Sequence, residues 1–454
     1  MSQKPLKSVH ITNYYHKNSG GISTSFNNLL AAAARRKRQV RLIVPGEKEE
    51  TEDVNPYAKI YYVEAKYSPV FDKRYRLIQP WQYIPNNSPI RRILLAERPD
   101  LVEVTDKYTI SMLGAMIRIG KFKQLGRPVL VHFSAERMDD NIASFIFKGA
   151  VGEWLARRVI GNYTLAAFDF HIANSAYTAQ EFRKAYKKEE NRNRSEWFLN
   201  KSWQWLKAPR VPIEERIYVC PRGVNTQIFR PDRKSEAIRK ELRERARIPA
   251  NAVTLLYAGR ISPEKNVGLL VEMMKFLAQD PAHDFRLLVA GAGPQEDFLK
   301  EETAKNFPGK VILLGHLDKE TLAGYYANAD VFVHPNPKEP FGIAPLEAMA
   351  SGAPTVAPDS GGILTYASDE NAWLVAPTGA SFAKAVRAIV DDPNERARRV
   401  NNAVLTALEN TREKSTDHLF DAYDRMYADF QRRKELFVAA DEAKNFDFAG
   451  EVLE

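Results

Sequence analysis

The chain has 454 residues, of which 44% are apolar and 27% charged, a globular composition that argues against wholesale disorder. Lysine plus arginine exceed aspartate plus glutamate, 66 against 57, which favours an anionic partner but is a small excess for a nucleic-acid binder. The single cysteine, Cys220, excludes an intrachain disulfide and a cysteine-based zinc site, as is typical of a reducing cytoplasm. No apolar run of about 18 residues spans a bilayer and the start lacks a secretory signal, so we expect a cytoplasmic protein whose membrane contact is peripheral.

The first half of the chain alternates short apolar strands with helices. A loop through Gly20 and Gly21 leads into a helix predicted over residues 22–35. The predicted strands are VHIT at 9–12, VRLIVP at 40–45, LVEV at 101–104, PVLVHF at 128–133 and FHIAN at 170–174. Such alternation predicts a mostly parallel sheet covered on both faces.

The same alternation restarts in the second half. Its predicted strands are VTLLYAGR at 253–260, FRLLVAG at 285–291, VILLGH at 311–316, VFVHP at 331–335 and PTVAP at 354–358. We therefore predict an α/β protein with two doubly wound domains, over residues 1–212 and 213–410, followed by a C-terminal helix and tail over 411–454. The helix carries apolar residues at spacings of three and four and needs a surface to cover, at Leu419, Tyr423, Met426, Tyr427 and Phe430.

A basic, tryptophan-rich insert interrupts the first domain at residues 183–210. It holds nine lysines and arginines against three glutamates, together with Trp197, Trp203 and Trp205. Cations interleaved with aromatic side chains suit a helix lying on an anionic membrane surface. A capping helix whose tryptophans belong to the core fits the same pattern.

Residues that follow the strands are the first candidates for a binding site, because ligands of open α/β sheets bind at the carboxyl ends of the strands. Gly20 and Gly21 precede a helix and could admit a phosphate, although a plain tight turn fits as well. Arg260 and Lys265 follow one strand and could hold a diphosphate, the alternative being two solvated surface cations. The stretch GAGPQEDF at 291–298 lacks the third glycine of a dinucleotide-binding fingerprint.

Two glutamates lie eight positions apart on either side of a Pro-Phe-Gly-Ile turn. Glu339 precedes the turn and Glu347 follows on the helix, while Phe341, Gly342 and Ile343 offer backbone N–H groups at the helix start. Carboxylates accept hydrogen bonds from sugar hydroxyls. A donor built of hexose, diphosphate and ribose therefore matches the order of Glu339, the two cations and Glu347.

The segment EPFGIAPLEAMASGAPTVA at 339–357 resembles the two-glutamate signature of the retaining glycosyltransferases of family 4. The resemblance extends over nearly the whole chain, since GGISTSFNNLL, VHFSAERMDD, VCPRGVNTQIFRP, GRISPEKN, GAGP and ADVFVHP stand in the order of that family. It implies the GT-B fold, in which two Rossmann-like domains face each other across a cleft and the C-terminal helix crosses back to the first domain.

The resemblance also implies a role for each candidate. Arg260 and Lys265 would stabilise the departing nucleoside diphosphate, Glu339 would bind the donor hexose and Glu347 the ribose. His132, after the strand PVLVHF, matches a position near the transferred sugar, and simple packing at a strand end is the alternative.

The loop of Gly20 and Gly21 would close over the phosphates. Most members of the family need neither cofactor nor metal, and no convincing Asp-x-Asp occurs here, since Asp139 and Asp140 are adjacent. Many members carry a glutamate soon after the two glycines at 361–362, where this chain reads GGILTYASDE, so that contact is open.

The stretches SAERMDD and GRISPEKNV look most like GDP-mannose-dependent α-mannosyltransferases that act on glycolipids. We expect a nucleotide-sugar donor and a lipid-linked or glycan acceptor, with aromatic and basic residues at 66–85 on the acceptor side and no nucleic acid. An enzyme that uses a UDP-sugar is the nearest alternative. A non-catalytic nucleotide-sugar-binding protein and a two-domain oxidoreductase are rivals from other classes.

Overall fold

The computed structural model describes residues 5–15, 21–68, 76–145, 149–191 and 195–438. The chain divides into two compact units. The first comprises Met1–Cys220 together with Thr416–Glu454, and the second comprises Pro221–Ser415. The chain thus leaves the first unit once and returns to it through its last long helix.

The first unit is built on an eight-stranded sheet. Its strands run in the order β10-β9-β8-β7-β1-β2-β4-β3 and pair in parallel, except for the antiparallel pair β3 and β4. The strands are β1 Lys7–Thr12, β2 Gln39–Gly46, β3 Glu50–Asn55, β4 Ala58–Glu64, β7 Leu101–Thr105, β8 Val129–Ser134, β9 Phe170–Ala173 and β10 Ile217–Val219, and a separate hairpin pairs β5 Lys66–Tyr67 with β6 Arg76–Leu77.

Helices cover both faces of this sheet, as the apolar parallel strands require. They are α1 Gly21–Arg36, α2 Pro89–Glu97, α3 Ser111–Arg118, α4 Met138–Phe145, α5 Ala150–Val159, α6 Leu165–Ala167, α7 Ala176–Tyr186 and α8 Glu196–Trp205. A π-helical turn, Ile160–Thr164, joins α5 to α6. One face buries the core that includes Phe168, Phe182 and Trp203, and the other buries the core that includes Phe26 and Tyr423.

The second unit is a six-stranded, fully parallel sheet in the order β13-β12-β11-β14-β15-β16. The strands are β11 Val253–Ala258, β12 Phe285–Ala290, β13 Val311–Gly315, β14 Val331–Val333, β15 Thr355–Pro358 and β16 Trp373–Val375. The helices are α9 Glu236–Arg245, α10 Gly268–Leu277, α11 Glu296–Asn306, α12 Lys319–Asn328, α13 Ile343–Ala350, α14 Gly379–Asp391 and α15 Pro393–Glu409. The strand order reverses between β11 and β14, which makes this pair the switch point where such sheets bind ligands.

The last helices return the chain to the first unit. They are α16 Arg412–Arg432 and α17 Lys434–Val438. Phe420, Tyr423, Met426 and Phe430 of α16 are buried in the core that also contains α1, which gives the predicted apolar stripe its surface. The Tyr423 hydroxyl donates to the buried carboxylate of Glu103, at 2.6 Å.

The two-sheet α/β prediction is confirmed, while several edge strands were missed. The unpredicted strands are β3, β10 and β16 at the edges of the two sheets, β4 next to an edge, and the hairpin strands β5 and β6. Strand β3 reads ETEDVN and has no buried residue, because it pairs on one side only, at the edge of the sheet. Edge strands need no apolar run, so composition gives them no signal.

Candidate active site

The candidate donor site lies at the carboxyl edge of the second unit's sheet. The loops that follow β11 and β12 are joined by backbone hydrogen bonds between Ile261 and Ala292 and between Gln295 and Ile261, at 3.1 and 3.0 Å. The loops after β14 and β15 are joined by a hydrogen bond of 2.7 Å from the Gly362 amide to the Glu339 carbonyl. A Cβ atom on Gly362 would lie 2.0 Å from the Pro340 carbonyl oxygen, so only glycine allows this approach.

Glu339 and Lys265 meet at this edge, one from each of the two strands at the switch point. The Lys265 Nζ lies 2.8 Å from the Glu339 Oε2, and Asn336 donates to the same oxygen from 3.0 Å. The buried His334 imidazole lies 3.7 Å from that oxygen. The family resemblance assigns Lys265 to the diphosphate of the donor and Glu339 to its hexose. In this structure the two side chains instead form an ion pair with each other.

The electrostatics of this cluster keep Glu339 ionised. Burial alone would raise the pKa of Glu339, but the Lys265 ammonium, His334 and the hydrogen bond from Asn336 outweigh it and lower the pKa to about 2. Burial lowers the pKa of His334 to about 4, against the attraction of Glu339. At neutral pH the cluster therefore holds one carboxylate, one ammonium and one neutral imidazole.

The loop after β11 presents the two predicted cations. Arg260 is exposed directly after the strand, and Lys265 ends a short 3₁₀ turn, Pro263–Lys265. The next residue, Asn266, adopts a left-handed conformation with φ of 55° and donates to the Pro335 carbonyl from 3.0 Å. This hydrogen bond fixes the cationic loop to the loop that carries Glu339.

The Pro-Phe-Gly-Ile turn is held from the side by Tyr366. Gly342 has φ of 85°, a conformation that suits glycine, and it forms the N-cap of α13. The Tyr366 hydroxyl donates to the Gly342 carbonyl, and its ring lies 5.2 Å from that of the buried Phe341. The helix then begins at Ile343, as the sequence predicted.

Glu347 lies one helical turn into α13 in a different electrostatic setting. The Tyr326 hydroxyl donates to its Oε2 from 3.3 Å. Burial raises the pKa of Glu347 to about 7, while Lys319 and the hydrogen bond from Tyr326 act in the opposite direction. The two glutamates of the signature therefore differ, one always ionised and the other near half-protonation at neutral pH.

The structure does not place His132 where a sugar could touch it. Its imidazole is fully buried within β8 and packs against Phe168, His171 and Phe182, at ring separations of 5.3, 5.8 and 5.8 Å. Burial lowers the pKa of His132 well below its usual value, so the ring is neutral. These contacts fit the simple packing alternative, and a role for His132 near the transferred sugar stays a prediction.

Of the two glycines proposed for the phosphate loop, Gly20 lies outside the described residues and Gly21 is the first residue of α1. Their role stays a prediction. The sequence interpretation missed three supporting residues, Asn336, His334 and Tyr366. The first two lie within five positions before Glu339, and a reading of the polar residues in HPNPKE would have found them.

Among the described residues, no group of three or more histidine, cysteine, aspartate or glutamate side chains is arranged to hold a metal ion. Within the same residues, every helix is too short or too polar to cross a bilayer.

Two families of known proteins match the two halves of the chain. Residues 20–192 match the Glycosyl transferase 4-like domain, and residues 238–405 match Glycosyl transferases group 1. Together with the fold, these matches show that the chain belongs to the family 4 type of glycosyltransferases with the GT-B fold.

Two of the similar proteins are named as GDP-mannose-dependent mannosyltransferases. The GDP-mannose-dependent alpha-(1-6)-phosphatidylinositol dimannoside mannosyltransferase of Mycobacterium tuberculosis is 26% identical over 402 residues, which cover 87% of this chain and 90% of the relative. The GDP-mannose-dependent alpha-mannosyltransferase of Corynebacterium glutamicum is 33% identical over 180 residues, or 36% of this chain and 40% of that protein. The protein is thus a glycosyltransferase, and it is similar to these two proteins named as GDP-mannose-dependent.

Solved structures agree on the fold. The sucrose-phosphate synthase of Thermosynechococcus elongatus superposes with a TM-score of 0.67 at 19% identity, covering 93% of this chain and all 100% of the other. HepE of Anabaena in complex with UDP gives a TM-score of 0.66 at 16% identity, with coverages of 92% and 100%. These likenesses support the GT-B fold and leave the donor to be argued from the site.

Proposed function

We propose that this glycosyltransferase transfers mannose from GDP-mannose, with retention of the α configuration, to a lipid-linked acceptor. The observation that carries the proposal is the ion pair of Lys265 and Glu339 at the switch point, with Glu347 eight residues further along. The names of the relatives in Mycobacterium and Corynebacterium favour GDP-mannose as the donor.

In this proposal the donor replaces the contacts that the site makes with itself. A diphosphate takes Lys265 away from Glu339, and the exposed Arg260 adds a second cation to the same phosphates. The released Glu339 carboxylate accepts hydrogen bonds from hexose hydroxyls. The ionised Glu347 accepts the two hydroxyls of the ribose.

The reaction then requires stabilisation of the negative charge on the departing diphosphate. The bond between the sugar's anomeric carbon and the phosphate oxygen breaks, and a bond to the acceptor oxygen forms on the same face. The acceptor's hydroxyl proton passes to the departing diphosphate, which leaves GDP and the glycosylated acceptor. Arg260 and Lys265 stabilise the negative charge that develops on the diphosphate, a contribution that often dominates such catalysis.

The acceptor proposal is supported by the region that begins with the hairpin strand β5, Lys66–Tyr67. Tyr67, Trp81 and Ile84 expose 54%, 63% and 42% of their surface. Residues 69–75, between the two hairpin strands, lie outside the described residues. Exposed aromatic side chains are suited to an acceptor that carries both sugar and lipid.

The test combines donor binding with transfer. Thermal unfolding is measured with GDP, UDP, ADP and their hexose conjugates, since a ligand of the native state raises the melting temperature. We expect a shift with GDP and GDP-mannose that Lys265→Ala abolishes and that Lys275→Ala, a change of an exposed lysine in the same unit, preserves. A shift with UDP-sugars alone would replace the donor, and donor binding without transfer to any lipid acceptor would contradict the enzyme proposal.

A further inference from the structure

Helix α8 carries apolar residues on two opposite faces. Leu199, Trp203 and Leu206 are buried against the rest of the unit, and the Trp203 indole donates to the Gly161 carbonyl from 2.9 Å. On the other side Trp197 and Trp205 expose 69% and 70% of their surface. The structure therefore divides the insert's tryptophans, one to the core and two to the outside.

The exposed side of α8 forms one coherent face, which we call the tryptophan face: Trp197, Phe198, Lys201 and Trp205. At about 3.6 residues per turn these four side chains fall within an arc of roughly 100°. Phe198 exposes 55% of its surface and Lys201 is exposed, while the arc contains no carboxylate. The face is thus apolar with one central cation.

We propose that the tryptophan face docks on the surface of a bilayer that contains anionic phospholipid. Indole rings favour the level of the lipid headgroups, and a lysine between them can bury its stem while its ammonium meets lipid phosphate. The surrounding insert supplies charge complementarity, because residues 183–210 hold nine cations against three glutamates, with Lys187 and Lys188 exposed.

Size and composition argue against a protein partner as the occupant. Taking about 200 Å² for each aromatic side chain, the three exposed rings present roughly 400 Å². A stable protein interface needs about 800 Å² from each partner and is depleted in lysine, whereas this face is centred on one. The bilayer needs no such area, since exposed aromatic side chains and cations act together at its surface.

The test of this proposal is vesicle binding by the full chain in the absence of any nucleotide sugar. A negative result would therefore contradict the docking proposal without bearing on the proposed transfer reaction. The measurements are co-sedimentation with vesicles of phosphatidylcholine, with or without phosphatidylserine, and quenching of tryptophan fluorescence by lipid brominated near the headgroup. We expect binding to vesicles that contain phosphatidylserine, with quenching. Trp197→Ala/Trp205→Ala should weaken this binding at least tenfold, and Lys201→Glu should weaken it only for the anionic vesicles.

The matched control is Phe276→Ala/Phe298→Ala, which removes two exposed aromatic rings from the second unit, 46% and 42% exposed. It should bind vesicles like the wild type. The variants of α8 should keep the wild-type melting temperature, because the replaced side chains are exposed. Equal vesicle binding by the wild type and Trp197→Ala/Trp205→Ala would overturn the proposal. So would a wild-type dimer that this double variant converts to a monomer, since a second copy would then cover the face.

Discussion

The raised pKa of Glu347 predicts a measurable conflict between stability and nucleotide binding. The carboxyl has a pKa of about 7 in the folded chain, against an ordinary value of 4.5. A carboxyl whose pKa is raised by folding contributes stability below its unfolded pKa and loses it as the pH rises through the folded value. The wild type should therefore become less stable, through this group, between pH 5 and pH 8.

The size of the effect follows from the shift. With these two pKa values, linkage gives a loss of roughly 2.5 kcal/mol between pH 5 and pH 8, which we reduce to about 2 kcal/mol because Glu347 is only partly buried. Glu347→Gln keeps the shape and removes the titration. Relative to the wild type, this variant should be about 2 kcal/mol more stable at pH 8 than at pH 5.

The assay is urea unfolding of both proteins at the two pH values without nucleotide. Comparing variant with wild type cancels the other titrating groups, His334 included, whose depressed pKa works against stability at low pH. GDP affinity should rise with pH through 7 in the wild type, because the ionised carboxylate accepts ribose hydroxyls, and should be weak and flat in Glu347→Gln. A pH-independent stability difference would refute the reasoning, since it would mean that burial does not perturb this carboxyl.

Three further predictions concern neighbouring residues and the buried histidine. Lys265→Ala should lower the transfer rate at least a hundredfold and the free energy of unfolding by about 1–2 kcal/mol, because Glu339 loses its ammonium partner. The control Lys275→Ala should leave the transfer rate and the urea-unfolding stability unchanged. Tyr366→Phe should cost about 1 kcal/mol in urea unfolding and reduce the transfer rate, because the turn before the helix loses its hydroxyl donor. His132→Phe should keep the transfer rate within about twofold. It should also unfold less readily at pH 5 than the wild type, since neither ring nitrogen has a hydrogen-bond partner among the described residues. A large loss of transfer would indicate a catalytic role for His132.

The sequence predicted the central strands of both sheets for a physical reason. Parallel strands buried on both faces are mostly apolar, as in LVEV and FRLLVAG, where Glu103 and Arg286 are the exceptions, and such runs are easy to recognise in a sequence. In such a strand, however, the sequence pattern does not indicate which face of the sheet a given side chain occupies. In PVLVHF every position is apolar except His132, so the pattern cannot tell whether the imidazole faces a cavity or Phe182.

The tryptophan-rich insert shows the corresponding ambiguity for a helix. Apolar residues stand at the helical spacing on both sides of α8, at Leu199 and Trp203 as well as at Trp197 and Trp205. Composition cannot choose between these faces. Packing against Gly161, which lies 42 positions from Trp203 in the chain, makes the choice.

The two glutamates show why a shared motif leaves their chemistry open. Glu339 is held ionised by Lys265, a residue 74 positions away, whereas the half-buried Glu347 accepts a hydrogen bond from the Tyr326 hydroxyl. Spacing in the sequence places both carboxyls at one edge but says nothing of their partners. In the proposed function, a bound nucleotide sugar would give each residue a new partner: a phosphate for Lys265 and two hydroxyl donors for Glu347. Donor binding should therefore stabilise the second unit most above pH 7, where Glu347 without a ligand is charged and most destabilising.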